Sequence, residues 1–414
     1  MITRRSAGKA LAGAAAAASI GKFSIGTAEA AGKVLQIGID LSLTGADAES
    51  AKRILNGGLL AIQQANESNA IKGYTLKPLV LDDGTATAGG YDPAQGAINA
   101  RRMVSNPNVV AALGPQMSGV GKAMAPILSE GGLAIITPSS TNPDITNPKF
   151  AAQFDPSGKP IYFRTVTTDA FQGPNMANFY AEKLNVKEVY VLDDSGAYGV
   201  GLADSFQKQA AAKGLKILGR DRLDPKAADY TTSITKIKAL NAPALYYGGV
   251  MGAGVKLVKQ SYQIMPKMIK GGGDGVYAAE MLTGAGFPAA EGWYATIASP
   301  HVVNDPKVAN WVKLYQSKFG VPPDDYAITC YDGALVIIAA IKSIVAAGKT
   351  PTRAAVRDAI AVSKTPTLQG MVSFDKYGDM TNRTVSVFQV KQDKKFPLND
   401  IAHQFHYVGV APQS

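Results

Sequence analysis

Cysteine is almost absent from this 414-residue chain: Cys330 stands alone, so no intrachain disulfide can form and packing must supply the stability. Histidine is nearly as scarce, limited to His301, His403 and His406. No His-x-x-x-His pair, Cys-x-x-Cys pair or carboxylate cluster of metal-ligand spacing is present. A Gly-x-Ser-x-Gly elbow, a P-loop and a dinucleotide fingerprint are also missing. With no recognisable nucleophile or acid–base arrangement, the chain reads as a non-enzyme that needs no cofactor and no metal. Basic tracts are lacking too, since the +10 formal charge is spread thinly, with Arg101-Arg102 and Lys394-Lys395 as mere doublets. That argues against nucleic acid as a partner. Beyond the N-terminal stretch no run of about twenty apolar residues is evident, so no membrane span is expected.

What is present begins with a secretion signal. Arg4, Arg5 and Lys9 form a charged start, an Ala-rich stretch from Ala10 to Ile20 follows, and Ala28-Glu29-Ala30 has small residues at cleavage spacing. The spacing predicts a signal peptide over residues 1–30, and Thr3-Arg4-Arg5-Ser6 resembles a twin-arginine export signal. Four basic residues and one acid lie in that segment, which leaves +7 for a soluble, exported remainder. At 46% hydrophobic and 18% charged, that remainder can bury ordinary cores and is long enough for two domains.

Strand and helix patterns then alternate. Val34–Ile39, Leu79–Leu81, Val109–Leu113 and Leu133–Ile136 are apolar strands, separated by helices from about Ala48, from Asp92-Pro93 and from about Ser118. The same grammar restarts after Arg164, with strands at Val189–Leu192, Leu215–Leu218 and Ala244–Tyr247. Continuous apolar strands between helices predict parallel sheets covered on both faces, here in two similar α/β lobes. Ligands of such sheets bind at the carboxyl ends of strands, so the Gly-, Ser-, Thr- and Asp-rich loops there are the candidate site.

Within those loops, Ser118 either offers a hydroxyl to a carboxylate or caps a helix, and Ser139 and Thr141 are either a polar cradle or turn residues. Tyr198 either covers a ligand or packs on its own lobe. Asp274, inside Gly271-Gly272-Gly273-Asp274-Gly275, is either the partner of an ammonium group or half of an Asp-Gly turn. Asp82-Asp83 and Asp193-Asp194 read as strand ends and caps, and Cys330 as a buried small hydrophobe.

Taken in order, Leu43-Thr44-Gly45, Leu81-Asp82-Asp83, Asp92-Pro93, Leu113-Gly114 through Ser118, and Ile136-Thr137-Pro138-Ser139-Ser140-Thr141 form one set of landmarks. Phe163-Arg164-Thr165, Asp169 with Gln172-Gly173, Tyr198-Gly199, Tyr246-Tyr247-Gly248-Gly249, Tyr331-Asp332-Gly333-Ala334 and Gly370–Asp375 continue it. Over about residues 33–390 this series resembles the leucine/isoleucine/valine-binding protein family. The resemblance implies a type I periplasmic binding protein fold: two doubly wound parallel-sheet lobes joined by a three-crossover hinge. It places lobe one at 33–167 plus 299–369 and lobe two at 168–298 plus 370–414. By the same resemblance, Ser118 and Thr141 hold a ligand carboxylate, while Ser139, Thr141 and Asp274 hold its ammonium group under Tyr198. It further implies a monomeric periplasmic receptor that delivers an amino acid or similar polar metabolite to ABC permease subunits. A ligand-sensing subunit for a membrane signalling partner is the alternative. Val250 stands where some members carry Tyr, and Asp47 and Glu49 add negative charge near the expected mouth, so a cationic or extended polar ligand stays open beside the other amino acids.

Overall fold

The computed structural model describes residues 33–414, so the expected signal peptide lies outside the described residues. The first sheet consists of β1 (Lys33–Leu41), β2 (Tyr74–Asp82), β3 (Val109–Leu113), β4 (Ile135–Thr137) and β5 (Tyr162–Arg164). Their order is β2-β1-β3-β4-β5, all parallel. Helices α1 (Ala48–Glu67), α2 (Pro93–Ser105) and α3 (Ser118–Glu130) connect them. The central strands are buried from end to end, which is why they read as unbroken apolar runs. Asp92 caps α2 by accepting from Ala94 N at 2.9 Å, with Pro93 in the first helical turn as the sequence predicts.

After α4 (Asp169–Glu182), the second sheet collects β6 (Glu188–Asp193), β7 (Lys216–Arg222), β8 (Ala244–Gly248), β9 (Ile269–Gly272) and β10 (Tyr294–Ile297). Helices α5 (Ala197–Ala212) and α6 (Met251–Ile264) are among its connections. Two late strands, β11 (Ser386–Val390) and β12 (Phe405–Val410), extend the order to β12-β11-β10-β9-β8-β6-β7. These two pair antiparallel, so the second sheet is mixed where the sequence suggested parallel strands throughout. β11 arrives only after the chain has returned to the first sheet, and the alternating stretch around His406 then pairs with it to form the edge.

Between β10 and β11 the chain returns to the first sheet and forms α7 (Asp325–Ala346), packed along α1. By length and composition α7 is apolar enough to cross a membrane, contrary to the sequence expectation that no segment has this property. Its buried residues, from Tyr326 and Ile328 through Cys330 to Ile344, make it the core helix of the first half instead. Cys330 is fully buried, and burial pushes its thiol up to about 12.

The chain passes between the sheets at neighbouring points: Thr167 N donates to Ala298 O at 2.7 Å, and Ser386 Oγ to Ser299 O at 2.8 Å. Residues just beyond 369 do not pass over at once. The Phe163 and Phe374 rings lie 5.0 Å apart, and Asp379 pairs with the buried guanidinium of Arg164 at 2.8 Å. The chain then enters the second sheet at Ser386. A buried charge needs a partner, and Arg164 draws residues 374–380 to the first sheet for that reason.

Candidate ligand-binding cleft

The carboxyl ends of the two sheets face one another across a cleft of about 490 Å3, a figure that includes its open mouth. From the first sheet's side the walls are Asp47, Ser50, Ile54, Gln116, Met117, Ser118 and Ser139. From the second come Tyr198, Val250, Asp274, Gly275, Tyr277, Ala278 and Glu280, while Tyr326 reaches in from the start of α7.

Ser118 opens α3, but the N-cap position belongs to Met117, which supplies no capping side chain. The Ser118 hydroxyl accepts from Asn142 N at 3.2 Å, tying α3 to the loop after β4. The uncapped first turn of α3 presents backbone N–H groups and the positive end of the helix dipole, which together favour an anion. Ser139 donates to Gln116 O at 3.0 Å. Thr141 does not line the space: it is wholly buried, and its hydroxyl has no protein partner. The backbone there is occupied, since Asp169 N donates to Thr141 O at 3.0 Å.

Tyr198 and Asp274 meet directly. The Tyr198 hydroxyl donates to Asp274 Oδ1 and accepts from Gly275 N at 2.9 Å, and Tyr326 donates to Asp274 Oδ2 at 2.5 Å. Asp274 N in turn donates to Gln172 Oε1 at 2.7 Å. Burial raises the Asp274 carboxyl, and hydrogen bonds from Tyr198, Tyr326 and Gln172 pull it back down. The surrounding glycines permit this approach: a Cβ on Gly273 would lie 2.9 Å from Gln172 Oε1, and one on Gly275 2.9 Å from the Tyr198 ring.

Four of the five sequence-derived residues therefore line one space, and Thr141 stands behind it. Tyr326, Tyr277, Glu280 and Gln116 were missed. Tyr326 is 52 residues from Asp274 along the chain, and only the packing of α7 brings it near. Pro322-Pro323-Asp324 signals that helix start, but nothing local says what its first turn faces. Glu280 accepts from Ser50 Oγ at 2.6 Å and from Ser50 N at 3.0 Å, across 230 residues of sequence.

A sequence model described as a periplasmic binding protein matches residues 34–395, most of the chain. The chain belongs to that family. Among curated relatives, Leu/Ile/Val-binding protein homolog 3 of Brucella melitensis is 29% identical over 366 residues, which is 88% of this chain and 94% of that one. The leucine-, isoleucine-, valine-, threonine- and alanine-binding protein of Pseudomonas aeruginosa is 28% identical over 364 residues, covering 88% and 91%. Of solved structures, a leucine-binding protein from Thermotoga maritima superposes with a TM-score of 0.77 at 24% identity, covering 91% of this chain and 98% of that one. A branched-chain amino acid transporter substrate-binding protein from Streptococcus pneumoniae, in complex with isoleucine, gives 0.76 at 21% identity, covering 91% and 100%. An R. palustris solute-binding protein in complex with benzoate gives 0.75 at 18%, covering 92% and 97%. This periplasmic binding protein has the type I fold expected from its sequence.

Proposed function

We propose that this periplasmic binding protein is exported, captures a single amino acid between its two sheets as a monomer, and presents the closed form to ABC permease subunits. The observation that carries the reading is the convergence of Ser118 and Ser139 from one side with Tyr198 and Asp274 from the other on one cleft. Relatives named for amino acid binding and transport favour import over signalling.

In this reading the ligand carboxylate sits at the uncapped start of α3 with the Ser118 hydroxyl. Ser139 lies beside it, while Thr141 stands behind the space and does not reach the ligand. The ammonium group meets Asp274, whose carboxylate has lone pairs beyond those taken by the two tyrosines. An ammonium there stabilises the ionised carboxylate against its burial. Tyr198 walls the pocket, and the hinge passes beside Thr167, Ala298 and Ser386. A ligand bridging both halves favours closure by the contacts that only the closed form makes.

Calorimetric titration of the purified protein with amino acids tests the proposal. Asp274→Ala is expected to lose at least about 2 kcal/mol of binding, roughly thirtyfold, because the ligand's buried ammonium then lacks its counter-charge. Unchanged affinity in a variant that melts normally would refute the site.

A further inference from the structure

The cleft has a second acidic pole that a plain zwitterion leaves unanswered. Asp47 and Glu280 line the same space as Asp274, and no Lys, Arg or His is among the lining residues. Asp47 is only 5% exposed. It is the N-cap residue of α1, yet its carboxylate caps nothing, and among the described residues no cation pairs with it. Gln116 Oε1, on the same wall, is buried without a hydrogen-bond partner. The groups left wanting are therefore acceptors, and all would be satisfied by N–H donors.

Burial raises the Asp47 carboxyl to about 7, and the charges of Glu280, Asp194 and Asp83 add to that rise. Asp274 is surrounded by a different set, Tyr198, Tyr326 and Gln172. Two separate poles of one sign thus share one cavity. Glu280 is already steadied by Ser50, whereas Asp47 has no such support. Asp47 and Val250 also wall an adjoining, solvent-open groove that runs past Tyr91 and Asp194 and is lined by Lys122 and Lys226 as well, so the cation-free part is the space beside Asp47 and Glu280.

We infer that the ligand is an α-amino acid whose side chain ends in a cationic nitrogen, with that nitrogen at Asp47 and Glu280 and the α-ammonium at Asp274. The inference rests on the amino-acid reading above. Leucine would answer Asp274 and leave Asp47 and Glu280 without counter-charge, whereas lysine or arginine would answer both poles in a site of lowered dielectric.

The test is calorimetric titration of the full exported protein with L-leucine, L-lysine and L-arginine at neutral pH. Lysine or arginine is expected to bind at least tenfold more tightly than leucine. Asp47→Asn is expected to shrink that ratio by tenfold or more, and Glu280→Gln serves as a second variant should the first fail to melt cooperatively. Leucine equal to or tighter than both basic amino acids, or a ratio unmoved by either folded variant, overturns the inference while leaving the amino-acid reading intact. Failure of all three amino acids to bind overturns both.

Discussion

At the residue scale the cleft stores unfavourable electrostatics. Asp47 ionises near 3.8 in a free chain but at about 7 when buried beside Glu280, Asp194 and Asp83. The folded protein therefore holds this proton more tightly than the unfolded chain does. Stability linked to Asp47 is fully present below its unfolded pKa and is lost as pH rises through 7. Asp47→Asn removes the charge, so in the ligand-free protein it should raise the unfolding free energy by on the order of 2 kcal/mol at pH 8, a gain that fades toward pH 4. Urea denaturation of both proteins across that range checks the slope, and a gain independent of pH would refute the assignment. Burial also pushes Asp83 up to about 7, and because Asp83 and Asp47 repel one another its titration adds to the measured slope. Asp47 was visible in the sequence as charge near a mouth. Its burial was not, because burial is decided by loops some two hundred residues away.

At the element scale, the two helices that frame the first half depend on one close approach. A Cβ on Gly57 of α1 would lie 3.2 Å from Ala327 Cα and collide with the Ala327 carbonyl in α7. That carbonyl belongs to a backbone and cannot swing aside, so Gly57→Ala should cost about 1–3 kcal/mol despite the better helix propensity of alanine. Asp92→Ala should cost about 1 kcal/mol by removing the α2 cap. Denaturant midpoints order the two variants, and a neutral or stabilising Gly57→Ala would show that α1 and α7 are free to separate. The Asp92 cap is legible in sequence because cap and helix are adjacent. The Gly57 contact is not, since Gly57 looks like an ordinary helical glycine until α7 is laid across it.

At the scale of the whole molecule, hydrogen bonds between the halves surround the cleft, among them Arg53 to Asn399 O and Thr283 to Glu49. Ser50 bonds Glu280, Asn142 Nδ2 donates to Ala197 O at 2.9 Å, and Tyr326 donates to Asp274. Each bond spans the gap between the sheets and exists only when they are near. Ser50→Ala removes one and leaves the Glu280 carboxylate poorly satisfied, so the open form should gain population. Small-angle scattering of the ligand-free variant is expected to give a larger radius of gyration than the parent, with the two converging on saturation by ligand. Ligand affinity should fall about three- to tenfold, the share now spent on closure. Identical ligand-free scattering would show that these bonds do not govern the hinge.

Strand periodicity, helix starts and ordered landmarks determined the α/β class and the family from sequence alone, because these are set by neighbours a few residues apart. That Asp274 among glycines and Ser118 after a strand sit at strand ends was legible for the same reason. The path of residues 374–380, the antiparallel edge of the second sheet, the membrane-like helix turned core, and the contacts of Tyr326 and Glu280 were decided only by tertiary structure. Each depends on partners distant in sequence: Arg164 calling for Asp379, β10 accepting β11, α1 burying α7. Burial of charge and closure of long loops are collective free energies, and no local window of residues contains them.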